Sequence, residues 1–275
     1  MKLTLLGTGC PSVDHKRFGP ANLISTKKTK ILVDCGSGIT QRLHQLNISL
    51  AEIDVLLFTH LHSDHAVDLY QLIISSWHSY RVTPWKIYGP KGTKKFVKKI
   101  MDAWADERKL RISYESRASA KAFEMQVTEF KSIGSIKIKD VNIKYFEVDH
   151  KPVKYAYGFC FTNNSKKLTI SGDTRPCENL MKYAQKSDLL LHEVFIEGEI
   201  LQTNKMRTKK TLHNVQSYHT TSKQVGKVAF ISRAKKLVLT HFVPTRFNKK
   251  NLKEVVKKDF GKDPILGEDL MTIKV

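Results

Sequence analysis

Short apolar runs rich in β-branched residues recur along the chain, bounded by Gly, Pro, Asp or Asn. Runs of this kind read as strands. They fall at 30–35 (KILVDC), 53–59 (IDVLLFT), 141–148 (VNIKYFEV), 155–161 (YAYGFCF), 167–171 (KLTIS), 188–192 (DLLLH) and 236–240 (KLVLT). Other stretches follow a helical period. In 93–105, Phe96, Val97, Ile100, Met101 and Trp104 share one face, behind a GPKGT turn where Thr93 can cap. Pro176 opens a helix over 176–186 with Leu180, Met181 and Ala184 inward. Thr221 and Gln224 have capping-box spacing ahead of a helix at about 222–234. This mixture predicts a layered α/β architecture. No repeat or Pro/Gly/Ser-rich linker divides the chain, so residues 1–275 are expected to form a single domain.

Composition narrows the class. With 41% hydrophobic and 27% charged residues, the chain is globular rather than disordered or fibrous. No apolar run approaches the roughly 20 residues a membrane helix needs. The opening MKLTLLGTGCP turns too soon for a secretory signal. A cytoplasmic protein with no membrane partner is expected. Cys10, Cys35, Cys160 and Cys177 are widely spaced and form no CxxC pair, which argues against a disulfide framework or a thiolate zinc site. The formal net charge of +21 favours phosphate-bearing partners. Lysines outnumber arginines 37 to 10, however, and such an excess also arises from composition alone.

The chemistry concentrates at Thr59-His60-Leu61-His62-Ser63-Asp64-His65, an HxHxDH motif directly after IDVLLFT. On extended chain His60 and His62 face one way, and Asp64 and His65 come round on the next turn. Neutral imidazole and carboxylate suit zinc and related divalent ions. His150, Asp173 and His241 each follow an apolar strand, where open α/β folds place their sites. Each alone is commonly just a polar residue ending a strand. Together they complete five histidines and two aspartates, enough for two ions. His60, His62 and His150 would hold one, and Asp64, His65 and His241 the other, with Asp173 bridging. Such a centre makes a nucleophile from water near neutral pH and stabilises an in-line displacement.

HLHSDH, Asp34 in ILVDCGSG, His150, SGDT and LTHF together resemble the metallo-β-lactamase superfamily. Within it, IYGPKGT, His192-Glu193 and His219-Thr220-Thr221 are most similar to the branch of the transfer-RNA 3′-processing endonucleases (RNase Z) and their arylsulfatase-like relatives. The resemblance implies a four-layer αββα sandwich with the metals at one edge of the sheets. Zinc is the expected ion, with manganese or iron as alternatives. Asp34 would orient a ligand histidine, with Thr59 beside it. Asp64, Glu193 and His219 would be catalytic, the last two protonating the leaving oxygen. Tyr157 and Gly158 match a family pair and are read as strand packing. His15, His44, His78 and His213 match no ligand pattern and are read as surface or satisfied histidines. Trp77, Trp85 and Trp104 are read as core or pocket wall.

The resemblance has a gap. Bacterial members grip RNA with a long Gly/Pro-rich arm that in many follows the third histidine motif. Here the interval from His150 to Asp173 reads as two strands joined by NNSKK. A segment at about 196–218 takes its place as a candidate basic flap, with Lys205, Arg207, Lys209 and Lys210 as substrate contacts. The expected activity is phosphodiester hydrolysis on RNA or a nucleotide. A small-molecule ester hydrolase (arylsulfatase, lactonase or β-lactamase type) is the enzymatic alternative, and an RNA-binding protein the non-enzymatic one. The intact HxHxDH speaks against a flavodiiron-type redox site. A homodimer is expected.

Overall fold

The computed structural model describes residues 1–200 and 208–275. Its strands form two sheets. In chain order they are β1 (Lys2–Gly7), β2 (Ala21–Ser25), β3 (Lys30–Val33), β4 (Val55–Leu57), β5 (Trp85–Gly89), β6 (Met125–Glu129) and β7 (Gly134–Ile138). There follow β8 (Val141–Glu147), β9 (Tyr157–Asn163), β10 (Lys166–Ile170), β11 (Leu189–Phe195), β12 (Leu237–Val243), β13 (Ile265–Leu266) and β14 (Thr272–Lys274). The first sheet has the order β14-β1-β2-β3-β4-β5-β6, the second β13-β12-β11-β10-β9-β8-β7.

The sheets share one plan. From β14 to β3 the first sheet is antiparallel, and from β3 to β6 parallel. The second is antiparallel from β7 to β10 and parallel from β10 to β13. Leu3, Leu5, Ile31 and Val33 of one meet Val141, Ile143, Phe159 and Phe161 of the other in a buried core. A second core lies outside the first sheet, under α1 (Ile39–Gln45), the single-turn α2 (Ser63–Ala66), α3 (Leu69–His78) and α4 (Thr93–Ala103). The next helix, α5 (Ala105–Glu115), buries none of its residues. A third core lies outside the second sheet, under α6 (Glu178–Tyr183), α8 (Ser222–Ile231) and α9 (Lys249–Phe260). The remaining helix, α7 (Lys209–Gln216), stands over the sheet edge. Two β-sheets between helical layers make the expected αββα sandwich.

Several local readings need correction. The capping box at Thr221 and Gln224 forms, but Gly92 rather than Thr93 precedes α4, at a φ of 104° that a side chain resists. The Thr93 hydroxyl instead donates to Pro90 O. Pro176 stands outside α6, which Cys177 precedes. Trp77 and Trp85 are buried, but Trp104 follows the end of α4, is 48% exposed and stacks on Tyr70. Leu3 and Leu5 show that 2–7 is a core strand that the apolar-run reading passed over. The edge-side β6 and β7 escaped for another reason: neither buries any residue, so they lack an apolar run. No helix among the described residues is long and apolar enough to cross a membrane.

Candidate metal centre and its cavity

All seven expected ligands converge at the edge where the two sheets open. The motif works as its spacing predicts. The chain leaves β4 extended, His62 is still extended at φ −64° and ψ 149°, and α2 begins at Ser63. His60, His62, His150 and Asp173 offer donor atoms within 4.8 Å of one another, as do Asp64, His65 and His241. Asp173 Oδ2 lies between the groups, 3.9 Å from His60 Nε2, 4.0 Å from His150 Nε2, 3.4 Å from His65 Nε2 and 3.2 Å from His241 Nε2. Burial disfavours charge on Asp173, but His241 and His65 outweigh it and hold the carboxyl well below its usual range.

The hydrogen bonds fix which ring nitrogens face inward. Asp34 Oδ2 accepts from His65 Nδ1 at 2.9 Å and from the Thr59 hydroxyl at 2.8 Å, and that hydroxyl meets His60 Nδ1 at 3.0 Å. One carboxylate thus orients two imidazoles, and Asp34 itself adopts φ 61°. His150 Nδ1 donates to the Tyr218 carbonyl at 2.9 Å. In each case the bound Nδ1 turns an Nε2 lone pair into the site. The Nε2 atoms of His60, His65 and His150 are buried and lack a hydrogen-bond partner. Unpartnered buried imidazole nitrogens are costly unless something else satisfies them, so the residues present fit divalent ions well.

Backbone detail aims the remaining donors. Gly172, at φ 62°, lies so close to the Tyr157 carbonyl that a Cβ would sit 2.5 Å from its oxygen, and it delivers Asp173. β12 extends beyond the predicted 236–240. Its register with β11 skips His241, a bulged residue at φ 45°, and the bulge swings that imidazole toward the other donors. Glu193 lies inside β11 and accepts at Oε1 from His219 Nδ1 (3.0 Å), Thr174 N (2.9 Å) and Thr220 N (3.2 Å). Burial disfavours the His219 imidazolium, but the charge and hydrogen bond of Glu193 outweigh it and raise the His219 pKa above its ordinary value. Tyr157 is buried strand packing, and His15, His44, His78 and His213 are exposed.

Above the donors lies a cavity of about 400 Å³. Its lining combines the polar His62, Asp64, Asp173, His219 and His241 with the apolar Ile200, Leu212, Val215, Val243 and Pro244. The segment read as a basic flap supplies part of this lining, because α7 turns Thr211, Leu212 and Val215 to the cavity. Its Lys209 and Lys210 are exposed and do not line it. Lys205 and Arg207 lie outside the described residues. The reading weighted lysines and so missed the one-sided spacing of Leu212 and Val215, and also Tyr218, whose orienting contact is made by backbone.

A family profile described as Anti-Pycsar protein Apyc1 matches residues 1–224. Ribonuclease Z of Mycolicibacterium gilvum (strain PYR-GCK) is 31% identical over 281 residues, covering 100% of this chain and 96% of that protein. The chain belongs to the Apyc1 family of RNase Z-like metallo-β-lactamase-fold proteins. Solved structures agree on the fold. The metallo-β-lactamase fold protein YhfI from Bacillus subtilis superposes with a TM-score of 0.77 at 18% identity, covering 99% and 98% of the two chains. The short form of human tRNase Z superposes with a TM-score of 0.74 at 24% identity, covering 100% and 99%. Membership of this family makes the chain a hydrolase, and the donor cluster suits divalent metal.

Proposed function

We propose that the protein is a phosphodiesterase using two divalent ions, zinc by ligand type, on a compact nucleotide phosphodiester. His60, His62 and His150 would hold one ion, and Asp64, His65 and His241 the other, with Asp173 shared. When bound, such a pair supplies Lewis-acid activation of the phosphoryl group and of water. The chain's own residues do the rest. Asp34 and Thr59 hold His60 and His65 in the ligating orientation. Asp64 shares the cavity wall with His219. Glu193 keeps a proton on His219 Nδ1 and raises its basicity, leaving Nε2 to deliver a proton to the departing oxygen.

The observation that carries the choice of substrate is the apolar face of α7 turned toward the donors. A wall of Leu212, Val215, Val243 and Pro244 favours a flat, weakly polar group such as a nucleobase beside the scissile phosphate. Among the described residues that wall carries no lysine or arginine to track a long RNA. The RNase Z relatives favour RNA as a second reading. The interval that would hold an arm is occupied by the β9–β10 hairpin, closed by Asn164 and Ser165 at positive φ. A turnover panel with zinc and with manganese tests the choice. It should contain a nucleotide aryl phosphodiester, an aryl sulfate, a lactone, a β-lactam and precursor transfer RNA. The nucleotide ester is expected to have the highest kcat/KM. Faster cleavage of precursor transfer RNA would install the second reading, and preference for a sulfate, lactone or β-lactam would overturn both.

A further inference from the structure

At the end of the molecule away from the candidate metal centre, no helix among the described residues covers the outer face of the second sheet over β7 and most of β8 and β9. Strand alternation places Ser135, Lys137, Asn142, Lys144 and Thr162 on this face, and the ladder pairs Ser135 with Lys144 and Thr162 with Lys167. α6 adds Lys182 and Tyr183, completing a groove of about 540 Å³ whose lining holds four lysines and no carboxylate. The ammonium groups of Lys144 and Lys182 stand 5.4 and 5.6 Å from the Tyr183 ring.

The groove is one stretch of a longer track. Lys137, Asn142 and Thr162 also line a neighbouring depression that reaches Lys139 and Asn164. Lys139 in turn lines a third depression with Lys27, Lys28 and Lys86. The acids along this path are already satisfied. Glu52 pairs with Lys30 at 2.7 Å and Asp54 with Lys139 at 2.6 Å. Asp140 accepts from Thr26, Thr29 and Asn163. By contrast Lys27, Lys28, Lys86, Lys137, Lys144, Lys167 and Lys182 have no carboxylate within 4.0 Å among the described residues. Asp140 keeps its charge, since its donors are neutral, but these seven lysines outnumber it, and a chain of phosphates relieves their mutual repulsion along its length.

We infer that this track is a second binding surface, for a single strand of nucleic acid, separate from the metal centre. Continuity over three depressions matches an extended polyanion better than an isolated phosphate. Tyr183 adds a ring, and the Asn, Ser and Thr side chains add hydrogen bonds to backbone oxygens. Lys167 lies near the start of β10, six residues before Asp173, so the two lie at most about 20 Å apart at roughly 3.3 Å per residue. The inference does not rest on the reading of the metal-site cavity.

The test uses the full chain carrying Asp173→Ala, so that RNA is not cut, and a fluorescent single-stranded oligouridylate. Lys137→Gln, Lys144→Gln and Lys167→Gln together should flatten the slope of log affinity against log salt by about 2, at about 0.7 per phosphate contact. The matched control Lys250→Gln, Lys253→Gln and Lys258→Gln on α9 removes the same charge elsewhere and should barely change it. Arginine at the three track positions should preserve binding, which separates charge from folding. Equal slopes in the track and control variants would overturn the site. So would polyglutamate or anionic vesicles binding as tightly as the oligonucleotide and losing affinity to the same three changes. With Asp173 intact, turnover of a small ester by the track variants should equal that of the wild type.

Discussion

The two sheets supply the candidate metal centre in different ways. The first gives His60 and His62 from the segment after β4 and Asp64 and His65 from the single-turn α2 that follows at once, and steadies two of them with one carboxylate, Asp34. The second draws His150, Asp173 and His241 from the ends of three strands, each aimed by its own device. His150 leans on the Tyr218 carbonyl, Asp173 follows a left-handed Gly172, and His241 sits in a bulge. The first contribution is local and the second depends on the assembled fold. Damage should therefore spread differently: widely from a shared support on the first side, residue by residue on the second.

Asp173 is the exception that joins the halves, so its loss should have the largest effect. Asp173→Ala is expected to reduce turnover to background and to lower the content of both ions, measured by elemental analysis of protein purified without chelator. Retention of one full equivalent of metal would show that the two groups do not depend on a common bridge. His219→Ala is expected to cost about 10²- to 10⁴-fold in kcat while metal content stays constant. The loss should be smaller for an ester that departs as nitrophenolate. Equal losses for good and poor leaving groups would remove the proton-delivery role.

Asp34→Asn tests the shared support directly. It is expected to weaken metal affinity by about 10- to 100-fold, the range for residues that orient ligands, and to disturb the His60 group and the His65 group together. Competition with a chelator, followed by metal-resolved titration, checks this. A defect confined to one group would mean that Thr59 holds His60 without help. The smallest effect is expected from Leu212→Ser with Val215→Ser on α7. KM for a nucleotide ester should rise, by about tenfold if the two truncations together cost about 1.4 kcal/mol. kcat and metal content should hold, because neither residue touches a donor.

The same contrast explains what could be read in the sequence. HxHxDH was legible because its four donors are neighbours in the chain, and the lone His150, Asp173 and His241 became legible once an apolar strand preceded each. Among the strands that escaped, β6 and β7 lack buried positions, and at β1 a turn signal cuts the run short at Gly7; β2 and β5 escaped although they bury apolar residues. His241 was taken to follow its strand because a bulge leaves no mark in a string of apolar letters. The segment around α7 misled most. Its lysines are conspicuous in the sequence, but the helix turns Leu212 and Val215 inward, and only the position of the neighbouring sheet edge decides which face meets the site. Tyr218 acts through its carbonyl, for which no residue type is diagnostic.

The pairing of β14 with β1 also bears on how the chain acquires its fold. Lys2, Leu3 and Thr4 find their partners in Lys274, Ile273 and Thr272. Until those residues arrive, β1 has one bare edge, an invitation to pair with a neighbouring chain. Contacts between residues so remote in sequence form slowly. During synthesis this edge would stay open until residues 272–274 have left the ribosome. A nascent chain stalled before residue 272 should therefore be bound by chaperones more than the released one.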